Sequence, residues 1–229
     1  MAIILHIETA TTTCSVCVAE DGKLLAKKES TEKNIHAAKL TVFVEEVMAQ
    51  AGKSFSDLQA VAVSMGPGSY TGLRIGVSTA KGLCYALDIP LIAVNTLEAM
   101  ASGFIDKCFS VNPHTLFCPM IDARRMEVYA AVLNSEKQLI RQTAAVIVDE
   151  NSFSDLLQNH IIYFFGDGAG KCEGVLGQSL NARVLDDFVN SSVDLIRIAE
   201  EKFSKRLFED VAYFEPYYLK DYVANSNNK

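Results

Sequence analysis

The stretch Met65-Gly66-Pro67-Gly68-Ser69-Tyr70-Thr71-Gly72-Leu73-Arg74-Ile75-Gly76 decides how this chain can fold. It follows a short apolar run at residues 60–63 and begins an apolar segment that extends to about Leu87. Its glycines and its proline are typical of a tight turn that joins a strand to a helix. We therefore predict a buried strand over residues 60–65 and a helix over residues 71–87.

One face of this predicted helix has almost no side-chain bulk, because Gly72, Gly76 and Ala80 lie four residues apart. A glycine inside a helix costs about 1 kcal/mol relative to alanine, so the bare face indicates close packing against another element. Two interpretations stay open, namely packing against another subunit and packing within the chain. We take the first as the working hypothesis.

Composition narrows the class of protein. The 229 residues are 49% hydrophobic and 21% charged, which is ordinary for a globular protein with a real core. The net charge of −7 disfavours tight binding of nucleic acid by this chain alone, because basic contacts to phosphate supply most of that affinity. The apolar runs are too short for a membrane span and the N-terminus lacks the features of a signal peptide, so we expect a cytoplasmic protein.

Cysteine and histidine patterns do not predict a metal site. Cys14 and Cys17 form the only C-x-x-C motif, and the predicted strand that contains them sends their side chains to opposite faces. The four histidines are scattered singly along the chain. We expect buried structural thiols and no histidine ligand, with a redox or metal role of the cysteine pair as the alternative.

The two halves of the chain begin alike. Residues 4–8 and residues 118–122 each form an apolar run that ends in a carboxylate, Glu8 in the first half and Asp122 in the second. Each run is followed by a short turn, an alternating strand and a polar hairpin. This similarity predicts an internal duplication.

Domain organisation follows from the duplication. We predict an N-terminal α/β domain over residues 1–103, which contains helices over 34–51 and 71–87. A reduced α/β domain over residues 104–229 follows, and its last helix, over about 192–208, and its tail return toward the first domain. Two small related α/β domains, each with a mixed sheet that starts in β-hairpins, resemble the actin/Hsp70/sugar-kinase superfold, whose members usually bind a nucleotide between the halves.

Candidate nucleotide contacts lie at the end of the first strand and in a second glycine loop. The carboxylates of Glu8 and Asp122, each at the end of a first strand, can hold a metal-bound water near a phosphate, or they can simply cap a turn, and Thr9 is a further candidate contact. Gly166, Asp167 and Gly168 allow an adenosine to approach the backbone, although a glycine-rich loop is weak evidence by itself.

The sequence contains no recognisable autonomous active site. The glycine loop before residues 71–87 has neither the Gly-Lys-Ser/Thr ending of a P-loop nor a G-x-G-x-x-G pattern, although a helix N-terminus there can bind a phosphate. No set of nucleophile, base and orienting residue is apparent. We expect no cofactor of the chain's own, with ATP or ADP bound weakly or at an interface.

Several segments together are similar to the TsaB family, also called YeaZ. These segments are residues 7–11, 14–16, 66–76, 121–124 with 127–129, and 215–219. The order Gly-Pro-Gly-Ser-aromatic-Thr-Gly at 66–72 is the most specific of them. The chain departs from the family at Glu8, where most members have Asp, and at Arg125-Met126, where Met-Gly is usual. The first departure weakens the case for a nucleotide or metal role of Glu8.

The resemblance implies a role in tRNA modification. Members of the family pair with a paralogue, TsaD, that carries the catalytic metal, and a P-loop ATPase, TsaE, joins them. Together these proteins transfer a threonylcarbamoyl group from its adenylate to N6 of adenosine 37 in tRNAs that read ANN codons. The resemblance therefore implies a subunit that meets tRNA through the complex.

Thr96 and Met100 stand where the catalytic paralogue has a His-x-x-x-His metal pair. Neither a neutral hydroxyl nor a thioether is a good ligand for a hard or borderline divalent ion. The loss of both imidazoles should abolish the metal site. We therefore interpret this chain as the non-catalytic partner, without activity of its own.

We predict that the helices over 34–51 and 71–87 form the interface with the paralogue. The predicted contact residues are Ile35, Leu40, Phe43, Val47, Gly72, Arg74, Gly76 and Ala80. The bare stripe would let helix backbones approach, and apolar side chains would fill its flanks. We expect the same surface to form a weak homodimer when the paralogue is absent. We also expect Gly76→Leu to abolish the heterodimer while leaving the fold intact.

Three alternatives stay open. A small ATP-dependent phosphotransferase of the same superfold would hydrolyse or transfer phosphate when assayed alone. A metallopeptidase would require bound metal, against which the missing histidine pair argues. A homodimeric scaffold unrelated to tRNA would be distinguished by the proteins that co-purify with it.

Overall fold

The first sheet of the molecule is mixed, with five strands among the residues described. The computed structural model describes residues 2–108, 112 and 114–220. The strands are β1 (Ile3–Glu8), β2 (Cys14–Glu20), β3 (Lys23–Ser30), β4 (Ala60–Gly66) and β5 (Leu91–Asn95). Their order is β3-β2-β1-β4-β5, with β1 antiparallel to β2 and parallel to β4. Every residue of β1 is buried, which explains its mostly apolar sequence.

The second sheet repeats this arrangement. Its strands are β6 (Thr115–Asp122), β7 (Glu127–Asn134), β8 (Leu139–Ile147), β9 (Ile161–Phe165) and β10 (Ala182–Leu185). Their order is β8-β7-β6-β9-β10, with β6 antiparallel to β7 and parallel to β9. The predicted duplication is confirmed, and the two mixed sheets agree with the predicted fold class of two related α/β halves.

Helices connect the strands. In the described part of the chain they are α1 (His36–Gln50), α2 (Tyr70–Leu87), α3 (Thr96–Asp106), α4 (Ser154–Leu157), α5 (Glu173–Leu176) and α6 (Ile196–Ser204). The sequence predicts the ends of α1 and α2 to within two residues. None of these helices is both long enough and apolar enough to cross a membrane.

Two side chains determine where the central helices begin. The Ser69 Oγ accepts a hydrogen bond from the Gly72 N–H at 3.2 Å at the start of α2. The Asn95 Oδ1 accepts from the N–H groups of Leu97 and Glu98, at 3.0 and 3.2 Å, at the start of α3. These caps satisfy donors that a helix leaves unpaired, so each helix begins within a few residues of the preceding strand.

The last helix is shorter than the predicted helix over 192–208, because α6 stops at Ser204. Arg206 has a φ angle of 55°, and the Leu207 N–H donates to the Lys202 carbonyl at 2.9 Å. Together these features form a left-handed helix ending. An apolar pattern alone continues past this point and does not mark the stop.

Helices cover both faces of the first sheet. On one face, α1 and α2 pack so that Leu40, Phe43 and Val47 lie in one apolar cluster with side chains of β1, β2 and β4. On the other face, Ala199 of α6 lies in a second cluster with residues of β1, β4 and β5. The first sheet is therefore buried on both sides.

Helix α3 lies between the two sheets. Its Ala99 packs with the first sheet, whereas Leu97 and Met100 pack with Phe117 and other side chains of the second sheet. The predicted domain boundary after residue 103 falls inside this helix. One helix thus belongs to the cores of both halves.

The chain returns to the first sheet after α6. Residues 205–220, which we call the strap, run along the edge of that sheet toward the glycine loop. The Glu209 N–H donates to the Leu91 carbonyl at 2.9 Å, and the Tyr217 N–H donates to the Met65 carbonyl at 2.7 Å. The strap therefore ends beside the turn that precedes α2.

Candidate functional site

A cleft of about 810 Å³ lies between the two halves, where the first strand of each sheet ends. Its walls come from both halves and from the strap, and its lining includes residues 10–12, 67–72, 121–124 and 217–220. The N-terminus of α2 and the end of β6 face each other across it. This is the position at which the duplicated fold predicts a ligand.

The bare stripe of α2 packs within the chain. A Cβ atom added to Gly72 would overlap the Thr9 carbonyl oxygen, and one added to Gly76 would overlap the Thr9 Oγ1. Ala80 is completely buried. The working hypothesis that this stripe contacts another subunit is therefore wrong, and packing against the loop after β1 is the alternative that holds.

The predicted interface residues of α1 also lie inside the monomer. Leu40, Phe43 and Val47 are at most 6% exposed, and they fill the core between α1 and the first sheet. Ile35 is half-buried against the same cluster. Their burial contradicts a role in partner contact, because an apolar helix face has the same spacing whether its neighbour belongs to the same chain or another. Arg74, by contrast, is exposed.

The backbone of the turn before α2 is largely occupied by contacts within its own chain. The Ser69 N–H donates to the Ala10 carbonyl at 2.6 Å, and Pro67 has no N–H. A Cβ atom added to Gly68 would overlap the Ala10 carbonyl oxygen. The loop after β1 therefore closes directly onto the helix N-terminus and uses part of its capacity to bind a phosphate.

Glu8 lies beneath the cleft and caps the turn after β1. Its Oε1 accepts from the Ala10 N–H at 2.6 Å and from the Ser64 Oγ at 3.0 Å. Burial raises the pKa of Glu8 to about 7. Its Oε2 has no hydrogen-bond partner among the described residues, and neither it nor the equally buried Thr9 lines the cleft. The geometry matches the capping alternative and does not support nucleotide contact by these two residues.

The second glycine loop packs against the end of β6. A Cβ atom added to Gly166 would overlap the Met120 carbonyl oxygen, and one added to Gly168 would lie 2.8 Å from the Ile121 carbonyl carbon. Those glycines thus serve the protein's own backbone and not an adenosine. Asp167 does line the cleft; its Oδ1 accepts from the Asp122 N–H at 3.0 Å, and burial raises its pKa.

The residues at the position of the paralogue's metal pair do not fit a metal. The Thr96 Oγ1 accepts a hydrogen bond from the Gly66 N–H at 3.1 Å, and this side chain is fully buried. Met100 lies in an apolar cluster with Leu97 and Phe165, and a Cβ atom added to Gly166 would lie 2.7 Å from the Met100 Cε. Hydrocarbon packing and a structural hydroxyl therefore occupy this position. Elsewhere in the described chain, no three His, Cys, Asp or Glu side chains are grouped as metal ligands.

A buried polar junction ties the segment after β10 to the first sheet, and the sequence does not predict it. The Thr11 Oγ1 donates to the Asn190 Oδ1 at 2.6 Å, and the hydroxyls of Ser15 and Ser192 lie 2.8 Å apart. The signal nearest to it in the sequence is the capping box that starts at Ser191. That signal marks a helix start but does not identify partners in a distant strand.

The exposed sides of α1 and α2 form a surface that we call the outer face. Arg74 alone among its residues was predicted to contact a partner. The outer face consists of Ala37, Ala38, Lys39, Thr41, Val42, Glu45, Ala49, Gln50, Thr71, Arg74, Ser78, Gly82, Tyr85 and Ala86. Most of these side chains are small. Gly82 has no atom within 4 Å of an added Cβ, while Val42 and Tyr85 are 39% and 85% exposed. The signal in the sequence is a second set of small residues, spaced by four, at Ser78 and Gly82.

The chain is similar to proteins of tRNA modification. Residues 24–159 match the family model described as TsaD: tRNA N6-adenosine threonylcarbamoyltransferase. The tRNA threonylcarbamoyladenosine biosynthesis protein TsaB of Escherichia coli K12 is 32% identical over 226 residues, which cover 96% of each chain. The protein of the same name from Bacillus subtilis 168 is 33% identical over 148 residues, 65% of this chain and 61% of that one.

A solved structure has the same fold. The solved structure of YeaZ from Pseudomonas aeruginosa superimposes with a TM-score of 0.79. It covers 96% of this chain and all of the other at 24% identity. At that identity the likeness shows the fold alone.

Proposed function

The chain belongs to the TsaB family, and we propose that it is a non-catalytic subunit of the assembly that forms N6-threonylcarbamoyladenosine in tRNA. The observation that carries the proposal is the packing at Thr96 and Met100, where a structural hydroxyl and a thioether occupy the position that the resemblance assigns to the paralogue's histidine pair. Because this chain has no metal ligands at that position, we assign it the role of assisting a partner that does have them. In this proposal the catalytic metal belongs to a TsaD-like paralogue.

The outer face is the surface that we assign to the paralogue. Its small side chains permit close approach of another helix, and Val42 and Tyr85 supply exposed apolar contact area. Gly82 supports this assignment most directly, because a helix glycine costs about 1 kcal/mol and no neighbouring atom of the described chain requires it. In isolation, the same face would pair weakly with a second copy.

The remaining members of the assembly follow from the same proposal. A TsaE-like P-loop ATPase joins the pair, and tRNA is bound by the complex in the cytoplasm. The net charge of −7 supports a chain that meets tRNA through its partners and not by itself. Any ATP or ADP binds weakly in the cleft or at the interface with a partner, and titration of ADP into the isolated chain and into the complex separates these two sites.

A reconstituted modification assay tests the proposed function. The paralogue and the ATPase are assayed with tRNA, with and without this chain, and we expect product to form efficiently only when the chain is present. Product formation at the same rate without it would contradict the proposal. The isolated chain should neither transfer phosphate nor cleave peptides, and turnover there would favour the phosphotransferase or metallopeptidase alternative, which the relatives do not favour.

The variant Gly82→Arg tests the assigned surface. We expect the affinity for the paralogue to fall by roughly 30-fold or more, because a bulky cation separates the two helices. The unfolding curve of the isolated chain should stay close to that of the wild type. Gly174→Arg is the matched control, since Gly174 is also an exposed helix glycine with no atom within 4 Å of an added Cβ, and it lies in the second half. Equal affinity for both variants would contradict the assignment.

A further inference from the structure

The strap is anchored along its length on the first half. The antiparallel bridge between Glu209 and Leu91 holds its beginning. Further on, the Lys81 Nζ donates to the carbonyl oxygens of Ala212 and Phe214, at 3.2 and 2.9 Å. The Phe214 side chain packs against the core cluster under α1 and α2. These contacts make the first part of the strap a fixed component of the N-terminal half.

The strap then reaches the glycine loop at the rim of the cleft. Gly66 has a φ angle of 114°, and a Cβ atom added there would lie 2.6 Å from the Tyr217 carbonyl oxygen, so the loop fits closely around the strap. The Tyr218 ring lies 5.0 Å from the Tyr70 ring, centroid to centroid. The Arg74 guanidinium lies 5.0 Å from the centre of the same Tyr70 ring. The aromatic contact holds the strap at the start of α2.

The final contact of the strap crosses to the second half. The Lys220 Nζ donates to both carboxylate oxygens of Glu127, each at 2.5 Å. Glu127 begins β7, on the opposite wall of the cleft. The Lys171 Nζ, a second cation at this position, donates to the Glu127 carbonyl oxygen at 2.6 Å and pairs with the Asp122 carboxylate. One ion pair therefore links the strap to the wall that faces its other anchors.

We propose that the strap is a latch that holds the cleft closed, with the pair between Lys220 and Glu127 as its releasable end. Lys220 is half exposed, and ion pairs between partly exposed groups are weak, so this end opens before the buried anchors do. Residues 217–220 also line the cleft. A molecule bound in the cleft would contact them, which couples its binding to the position of the latch.

Hydrogen–deuterium exchange of the full isolated chain tests the latch. In Lys220→Glu we expect backbone amides in two regions, residues 212–220 and residues 121–129, to exchange roughly two- to fivefold faster than in the wild type. The substituted side chain is half exposed, so the fold should be retained. Lys205→Glu is the control, because it breaks a comparable exposed pair with Glu201 within α6.

Charge reversal distinguishes a latch from a local contact. In the double variant Glu127→Lys with Lys220→Glu, we expect exchange in both regions to return to within about twofold of the wild type. Unchanged exchange in Lys220→Glu would overturn the proposal. It would also be overturned if the strap exchanged faster while residues 121–129 did not, or if the double variant stayed as open as the single one. The experiment contains no partner protein or tRNA, so its result is independent of the proposed function.

Discussion

The two sides of α2 use glycine for different purposes. On the inner side, Gly72 and Gly76 leave room for the carbonyl and hydroxyl oxygens of Thr9, so the loop after β1 lies directly on the helix. On the outer side, Gly82 has no neighbour within 4 Å of an added Cβ, and Ser78 beside it is exposed. Packing within the monomer explains why the inner positions are glycine, but it does not explain the glycine at the outer position.

This difference shows how a stripe of small residues should be interpreted. Such a stripe indicates that something approaches the helix backbone closely, but it does not identify the approaching group. In this molecule the stripe that looks most like a subunit interface serves a turn of the same chain. The weaker set at Ser78 and Gly82 is the one left for a partner.

The largest expected effect is that of Gly76→Leu on stability, and it replaces the expectation from the sequence that this variant leaves the fold intact. We expect the isolated chain to lose about 4 kcal/mol of unfolding free energy, or to fail to fold, because the leucine must displace Thr9 and its loop. Urea unfolding followed by circular dichroism measures this loss. Gly82→Leu, the control on the outer side, should stay within about 1 kcal/mol of the wild type. If both variants were equally stable, the two sides of α2 would not differ as described.

The pH dependence of stability tests Glu8, which holds the loop after β1 through its hydrogen bond from the Ala10 N–H. Burial raises the pKa of Glu8 from 4.5 to about 7, so its contribution to stability is present below pH 4.5 and is lost as pH rises to 7. Burial lowers the pKa of His6, on the same strand, from 6.5 to about 4, so stability is lost as pH falls through that window. Each contribution amounts to about 3 kcal/mol, and the two oppose each other between pH 4.5 and 6.5.

Glu8→Gln removes one of these opposing contributions. We expect the difference in unfolding free energy between the variant and the wild type to change by about 3 kcal/mol between pH 4.5 and 7, in favour of the variant at the higher pH. Urea unfolding at a series of pH values measures it. His6→Asn should give a change of opposite sign over pH 4 to 6.5. Parallel curves for Glu8→Gln and the wild type would show that the carboxyl under the loop is not perturbed.

The smallest expected effects come from alanine at matched positions, and they differ in sign. Gly72→Ala should cost about 2 kcal/mol, because the obstructing atom is a backbone carbonyl oxygen that cannot rotate away. Gly82→Ala should stabilise the chain by about 0.5–1 kcal/mol, because alanine is the better helix former and the space is open. The same unfolding measurement decides both. A stabilising Gly72→Ala would mean that the inner packing is looser than the structure indicates.

Much of the fold could be predicted from local pattern. The strand before the glycine loop, the ends of α1 and α2, and the duplicated order of strands all follow from periodicity, caps and turn residues within short windows. The candidate site was predicted less well. Of Glu8, Thr9, Gly166, Asp167 and Gly168, all of which are described, Asp167 alone lines the cleft. The others face neighbours contributed by distant segments, which local pattern does not reveal.

The sequence by itself determined the alternation of strands and helices, the duplication and the family, because short-range residue spacing or specific motifs are enough to predict each of them. Only the tertiary structure decided which side of α2 faces the monomer, because the contact between Thr9 and Gly76 joins segments far apart in the chain. The same holds for the strap, whose partners Leu91, Met65 and Glu127 come from both halves. Spacing along a helix specifies that a face is bare, but the three-dimensional arrangement of the other elements specifies what meets it.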